Sequence, residues 1–309
     1  MHAPSHLIPG VLARHDPAGD PVPVVFDSPH SGSEYPPDFD HAVERHALRS
    51  TEDMYVDELF AAAPRHGAAL LRALFPRSYI DVNRHPLDLD PELLADPWPG
   101  ELRPGGKTRA GKGLLRTRAH GRPIYGRKLP VAEVQARLER YYGPYHEALH
   151  DLIAQTRRRF GTVWHVNCHS WTPPETGRTG QPVNHVDFSL GTREGTTCDM
   201  RFAEHLAGLL RGMGYEARID RPFRGMELIK RHGRPAEGQH SLQIEINRNL
   251  YMDKRGYAKL EGFAVLQTNL TRLVAAVCAY ARAEAAAAAP AALASVEQAA
   301  PLGRARGQA

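Results

Sequence analysis

Three short segments carry residue types that do hydrolytic chemistry: Asp27-Ser28-Pro29-His30-Ser31-Gly32, His165-Val166-Asn167-Cys168-His169-Ser170 and Gln243-Ile244-Glu245-Ile246-Asn247-Arg248. Each begins as a run of β-formers and delivers a His or a Glu at or just past the run. A fourth run, Tyr79-Ile80-Asp81-Val82-Asn83-Arg84, delivers an Asn-Arg pair in the same way. Polar groups at the carboxyl ends of strands in an α/β sheet face the crevice where ligands bind. Two histidines and a carboxylate make an open catalytic metal site, and an Asn-Arg pair grips a carboxylate. Together they point to metal-assisted hydrolysis of a small molecule that carries its own carboxylate.

His30 and His169 are the best nitrogen ligands, since each stands where a strand gives way to a loop. The nearest carboxylates to complete the set are Glu34, Glu52 and Asp53, and spacing does not choose among them. His165 precedes His169 on the same strand and faces the same side at greater depth, as a core or supporting histidine. Glu245 lies in a run buried on both faces, where a charge is costly unless it is paired or used. It is either the general base that takes a proton from water or the partner of Arg248 or another arginine. Arg84 is either a bidentate carboxylate clamp or the partner of Asp81 or Asp88, and Arg248 is a second candidate clamp.

Competing chemistries fit less well. There is no G-x-S-x-G elbow for a serine nucleophile, and Cys168 and His169, as strand neighbours, point to opposite faces. Neither a Walker loop nor a G-x-G-x-x-G fingerprint is present, which disfavours nucleotide binding.

The elements that position these residues alternate. Strand patterns occupy 21–27, 68–74, 79–82, 162–168, 187–190, 215–219 and 242–246. Helical spacing occupies 51–66, 131–160 with an interruption at Gly143-Pro144, 201–213 and 257–283. Between them, 87–129 is an aperiodic stretch rich in Gly, Pro and basic residues, either a substrate-covering loop or disorder. This order predicts one α/β domain over 1–283, a three-layer α/β/α arrangement with a mixed, mostly parallel sheet. From 284 to 309 the chain is Ala-rich and expected to be frayed or disordered.

The net charge of +4 is mild and arginine is spread along the whole chain, so no nucleic-acid face is expected. The 3 cysteines include no C-x-x-C pair, so neither a zinc knuckle nor a disulfide framework is indicated. The first residues lack the charged and apolar regions of a secretory signal, and no apolar run reads as a membrane span. A cytoplasmic enzyme without membrane contact is the expectation; the sequence leaves its oligomeric state open.

In order along the chain, the sequence resembles the N-formylglutamate amidohydrolases (formylglutamate deformylases). The resemblance rests on Ser28-Pro29-His30-Ser31-Gly32 with Tyr35-Pro36, on 53–59, and on Asp81-Val82-Asn83-Arg84-His85-Pro86. It continues through Asn167-Cys168-His169-Ser170, 187–198 and 240–253. That family is similar to zinc exopeptidases of the carboxypeptidase and aspartoacylase type, a phosphorylase/hydrolase-like fold. The resemblance implies His30 and His169 as metal ligands, Glu245 as base, and Asn83 with Arg84 on the substrate carboxylate. The exopeptidases use His-x-x-Glu, whereas Ser33 stands three residues after His30; Asp53 is then the chosen carboxylate ligand, with Glu52 or Glu34 as alternatives. Zn²⁺ is the expected ion, with Co²⁺ or Mn²⁺ as alternatives. Arg224, Lys230 or Arg231 would add a second anion contact for a dicarboxylate. The expected reaction is removal of a formyl or other short acyl group from an N-acylated acidic amino acid, most simply N-formyl-L-glutamate. An aspartoacylase-like deacylase, a small carboxypeptidase, or a non-catalytic binder of acidic amino-acid derivatives are the alternatives.

Overall fold

A computed structural model describes residues 3–173 and 186–298, with side chains through 288. In chain order its strands are β1 (His6–Ile8), β2 (Leu12–His15), β3 (Val24–Ser28), β4 (Ala69–Ala73), β5 (Arg118–Ala119), β6 (Arg122–Pro123), β7 (Val163–Trp171), β8 (Phe188–Gly191), β9 (Ala217–Ile219) and β10 (Gln239–Asn247). The helices are α1 (Arg45–Arg49), α2 (Val56–Leu59), α3 (Gly106–Arg109), α4 (Val131–Arg137), α5 (Gly143–Phe160), α6 (Met200–Gly212), α7 (Glu227–His232) and α8 (Gly262–Gln298).

Apart from the small β5–β6 ribbon, the strands form an 8-stranded sheet in the order β1-β2-β4-β3-β7-β10-β8-β9. Its centre, β4-β3-β7-β10, is parallel, and β8–β9 is parallel too; β1–β2, β2–β4 and β10–β8 are antiparallel. The mixed, mostly parallel sheet expected from the sequence is therefore present.

Period-two alternation in the central strands sorts side chains into layers. Val24, Phe26, Trp164, Val166, Cys168, Leu242, Ile244 and Ile246 face α6 and α8 in one apolar core. On α8, Leu266, Leu270, Leu273, Val274 and Val277 fill that core; burying each fully contributes about 1.5–3 kcal/mol. The opposite face packs Val25, Leu71 and Val163 against Tyr145, Leu149, Leu152 and Ile153 of α5. Between those apolar residues the second face is polar, because Asp27, His165, Asn167, His169, Ser241, Gln243 and Glu245 occupy the alternate positions. Register lines them up: Glu245 opposite His169, Gln243 opposite Asn167, Ser241 opposite His165, and Asp27 on the other side of Asn167.

Several elements differ from the sequence expectation. Residues 79–82 are not a strand but a buried turn, in which the Asp81 carboxylate accepts the Asn83 N–H and the Asp81 N–H is donated to Leu114. The helix expected over 51–66 is reduced to α2 and a 3-10 turn, Ala63–His66. Its first residues are drawn elsewhere: the Asp53 N–H donates to the His30 carbonyl and the Asp57 N–H to Ser31 Oγ. The stretch 87–129 is packed, with Leu89, Leu93, Leu114, Leu115, Ile124 and Leu129 in the second core. Around Gly143-Pro144 a widened turn, Leu138–Tyr142, joins α4 to α5. The last helix does not stop at 283 but runs to Gln298; residues 299–309 lie outside the described part. No apolar run of a membrane span's length was expected, yet its segment Gly262–Ala288 is long and apolar enough by length and composition alone; in the fold its apolar stripe packs on α2, α6 and β3.

Candidate metal centre

His30 follows β3 by two residues, and its carbonyl accepts the Asp53 N–H at 2.9 Å, which stitches the two loops together. The Ser31 hydroxyl reinforces the join, donating to the Asp53 carbonyl and accepting the Asp57 N–H, both at 3.1 Å. Next in line, Gly32 runs so close to the end of β4 that a Cβ there would meet Phe75 O at 2.3 Å. Only glycine fits that approach. His169 was expected past the end of its strand; it lies inside β7, which extends to Trp171.

His30, Asp53 and His169 are buried, and one ligand atom from each lies within 4.8 Å of the others. Asp53 Oδ2 is 2.9 Å from His169 Nδ1 and 3.4 Å from His30 Nδ1. Each ring's other nitrogen is already committed. His30 Nε2 donates to Asp81 Oδ1 at 2.8 Å, and His169 Nε2 donates to Asn167 Oδ1 at 2.7 Å. Asn167 has its amide fixed the same way, Nδ2 donating to Asp27 Oδ1 at 2.7 Å. With the Nε2 protons so placed, both Nδ1 atoms present lone pairs to the Asp53 oxygen, and His30 Nδ1 is buried with no hydrogen-bond partner. Three acceptors aimed at one another call for a cation between them. The donor set, two imidazoles oriented by hydrogen-bonded neighbours plus one carboxylate, fits a divalent metal ion.

Charge around the cradle is balanced by arginines. Arg77 reaches Asp81 Oδ2 at 2.8 Å and Asp53 Oδ1 at 3.4 Å, while Arg248 holds Asp53 Oδ1 at 2.8 Å. Both therefore engage Oδ1 and leave Oδ2 to the cradle. Burial alone would raise the Asp53 and Asp81 carboxyls, but Arg77 and the imidazoles outweigh it and hold both well below the usual carboxylate range. Glu245, the neighbour of His169 across the strand pair, is held by Gln243, which donates to Oε1 at 2.8 Å. It is surrounded by protein yet keeps part of its surface open, and burial, with Asp53 nearby, pushes its pKa up against the pull of His169 and Arg77.

Other residues singled out in the sequence have different partners. Glu52 is buried and accepts from the Tyr35 hydroxyl at 2.5 Å, and Glu34 is exposed; neither joins the cradle. Asn83 accepts the Leu228 N–H and brings its Nδ2 within 3.0 Å of His169 Nε2. Arg84 is buried, its Nε and Nη1 donating to the carbonyls of Lys112 and Asn83, not to Asp81 or Asp88. Arg248 pairs with Asp53, Ser170 Oγ and Ser50 O, not with Glu245. Arg224 is exposed and bonded to Glu194, Lys230 is exposed, and Arg231 is taken up by Glu227, His146 and Tyr142.

Sequence reasoning missed Asp81 and Asn167 as the partners of the histidines, and Arg77 as the counter-charge. Asn167 carried a signal, since it stands two residues before His169 on the same strand face. His165 has the supporting role expected of it: its Nε2 donates to Asp27 Oδ1 at 2.9 Å, and its Nδ1 accepts from Ser241 Oγ at 2.6 Å. This Ser-His-Asp line is wholly buried and serves position, not nucleophilic attack. Cys168 lies in the apolar core on the other face, where burial pushes its thiol up.

The profile of the N-formylglutamate amidohydrolase family matches residues 22–252, a span that holds the whole cradle and Glu245. The chain belongs to that family. Among its relatives, the N-formylglutamate deformylase of Pseudomonas aeruginosa is 28% identical over 244 residues, covering 76% of this chain and 84% of that one. The deformylase of Pseudomonas putida is 29% identical over 243 residues, covering 75% and 83%. In structure, the N-formylglutamate amidohydrolase from Ralstonia eutropha JMP134 superposes with a TM-score of 0.86 at 46% identity, covering 89% of this chain and 99% of that one. The Agrobacterium tumefaciens gene product Atu2144, at 20% identity and a TM-score of 0.63, shares the fold. The fold is thus shared with that solved N-formylglutamate amidohydrolase.

Proposed function

We propose that this protein hydrolyses the amide bond of N-formyl-L-glutamate, releasing L-glutamate and formate. The observation that carries the reading is the convergence of His30 Nδ1, Asp53 Oδ2 and His169 Nδ1 beside Glu245, in a chain of the N-formylglutamate amidohydrolase family. Zn²⁺ suits two imidazole nitrogens and one carboxylate, and Co²⁺ or Mn²⁺ would be accepted by the same donors. When bound there, a divalent ion supplies Lewis-acid polarisation of the formyl carbonyl and acidifies water.

The chain's own residues do the rest. Glu245 takes a proton from the attacking water as the C–O bond forms, then returns it to the amine as the C–N bond breaks. Its raised pKa favours this, because a base that must give its proton back works best when poised nearer the operating pH. Arg84 keeps Nη2 without a protein partner among the described residues, and that group would take the substrate's α-carboxylate. Asn83 holds the start of α7 against His169 and sets the floor of that contact.

Formate release from N-formyl-L-glutamate, measured with added Zn²⁺, Co²⁺ or Mn²⁺, tests the reading. Faster turnover of N-acetyl-L-aspartate or of a dipeptide would replace it with a deacylase or carboxypeptidase. No turnover of any of them would leave a non-catalytic binder. In the same assay Glu245→Gln should lower kcat by roughly 10²–10⁴-fold while metal content stays at the wild-type level.

A further inference from the structure

We propose that Arg116, assisted by Lys107 and Lys112, forms a second anion subsite that takes the side-chain carboxylate of the substrate and makes the enzyme selective for acidic amino acids. The inference rests on the reading of the site as an N-formyl amino-acid hydrolase. It relocates the second anion contact from Arg224, Lys230 and Arg231, which point to solvent or are already paired.

Arg116 differs from every other arginine near the cradle. Arg77 is bound to Asp81 and Asp53, Arg84 to two carbonyls, and Arg248 to Asp53, Ser170 and Ser50. Arg116 is only 8% exposed, yet among the described residues its side chain makes no hydrogen bond or ion pair, and its Nε is sealed off without a partner. A buried cation of this kind is costly, and proteins ordinarily pair it. The missing partner is an anion: among the described residues no carboxylate pairs with Arg116, and Asp81 and Asp53 act on it only at a distance, being engaged by Arg77 and the histidines.

The segment that carries Arg116 is built onto the site. Asp81 donates its N–H to the Leu114 carbonyl at 2.8 Å, and Arg84 Nε donates to the Lys112 carbonyl at 2.8 Å. Thr108 Oγ1 and the Leu114 N–H both donate to the Asp88 carbonyl, which closes 108–114 against the turn after Arg84. Arg116 is therefore held close enough to Arg77, Arg84, Asp81 and Asp53 for their charges to act on it. The Lys107 ammonium, which has no ion-pair partner among the described residues, lies within reach of the charges of Arg84 and Glu245. Burial, Arg77 and Arg84 together oppose the charge on Arg116 more than Asp81 and Asp53 support it, so an incoming carboxylate would relieve a net repulsion as well as gain hydrogen bonds. An N-acyl acidic amino acid brings two carboxylates: one for Arg84, one for Arg116.

The test compares N-formyl-L-glutamate with its neutral isostere N-formyl-L-glutamine on wild type and Arg116→Gln. Truncating one partner of a buried charge pair should lower kcat/KM for the glutamate substrate by roughly 100-fold and leave the glutamine substrate near its wild-type value. Without ligand the variant should melt at or above the wild-type temperature, since an unpaired buried charge has been removed; a lower melting temperature would show Arg116 to be structural. Equal losses on both substrates, or wild type that turns both over equally well, would overturn the subsite while leaving the deformylase reading intact. If wild type hydrolyses neither, that reading fails, and calorimetry still decides the subsite. Tighter binding of L-glutamate than of L-glutamine that disappears in Arg116→Gln would uphold it; equal binding would refute it.

Discussion

Two groups of buried charge sit side by side in this fold and are treated in opposite ways. In the cradle the ring donors are matched: Asp81 and Asn167 take the Nε2 protons, Asp27 fixes Asn167, and Arg77 and Arg248 cover Asp53 Oδ1. Only the lone pairs that face inward are left over. In the neighbouring segment the leftovers are donors, on Arg116, Lys107 and the free end of Arg84. What the two regions leave open is complementary: the cradle calls for a cation, and the neighbouring segment for carboxylates.

The sharpest way to break this contrast is to delete a cradle ligand. His30→Ala removes one of the converging donors and leaves Asp81 with one partner fewer. Metal content by mass spectrometry should fall from about one per chain to background, and turnover with it by at least ~10⁴-fold. His169→Ala should behave alike. Metal retained in both variants would show that the three residues do not form the site.

A smaller effect is expected one layer out. Asp27 touches no cradle ligand; it acts through Asn167, which receives the His169 Nε2 proton. Asp27→Asn lets the Asn167 amide turn over and present its NH₂ to His169, the wrong pole for that ring. Metal affinity should drop by roughly 10–100-fold, with the ion recovered at high concentration. Unchanged affinity would mean that the Asp27–Asn167 link supports folding only. On the anion side the Arg116 side chain bonds to no cradle ligand or its partners among the described residues, which is why Arg116 variants should change specificity without changing metal content.

How far the sequence revealed these two regions follows from the range of the interactions. Alternation along β7 and β10 is local, so it placed His165 and His169 on one face and Cys168 on the other, and it marked Glu245 as unusual among isoleucines. The partners are another matter. His30 and Asp81 are 51 residues apart, and Arg248 and Asp53 are 195 apart. Those pairings depend on turns, not on strands, and the 79–82 run looked like a strand because its residues are as buried as a strand's. Asp53 emerged through the family resemblance, since no periodicity distinguishes it from Glu52. Arg116 carried no signal at all: in a basic, aperiodic stretch it reads as composition, and only the lack of a side-chain partner among the described residues sets it apart.

The least of the expected effects separates the cradle's histidines from those buried merely by packing. Burial, then the Arg231 charge, lowers His146 to about 3, and burial, helped by His165 and His146, lowers His232 to about 2. Both are thus neutral in the folded state, whereas in the unfolded chain they titrate near the ordinary 6.5. The sign follows directly: these depressed values favour folding fully above pH ~6.5, and that contribution is lost as pH falls towards the folded pKa. Between those limits each such histidine adds a slope of roughly 1.4 kcal/mol per pH unit. His146 donates from Nε2 to the Val82 carbonyl and accepts from Arg231 at Nδ1, a pair of bonds that a Gln amide can imitate. His146→Gln should therefore fold with similar stability at pH 7.5 and lose about one histidine's worth of slope in denaturant titrations between pH 6 and 4.5 on metal-free protein. An unchanged slope would mean that His146 is protonated in the fold, and that the buried charge of this layer is not confined to the site.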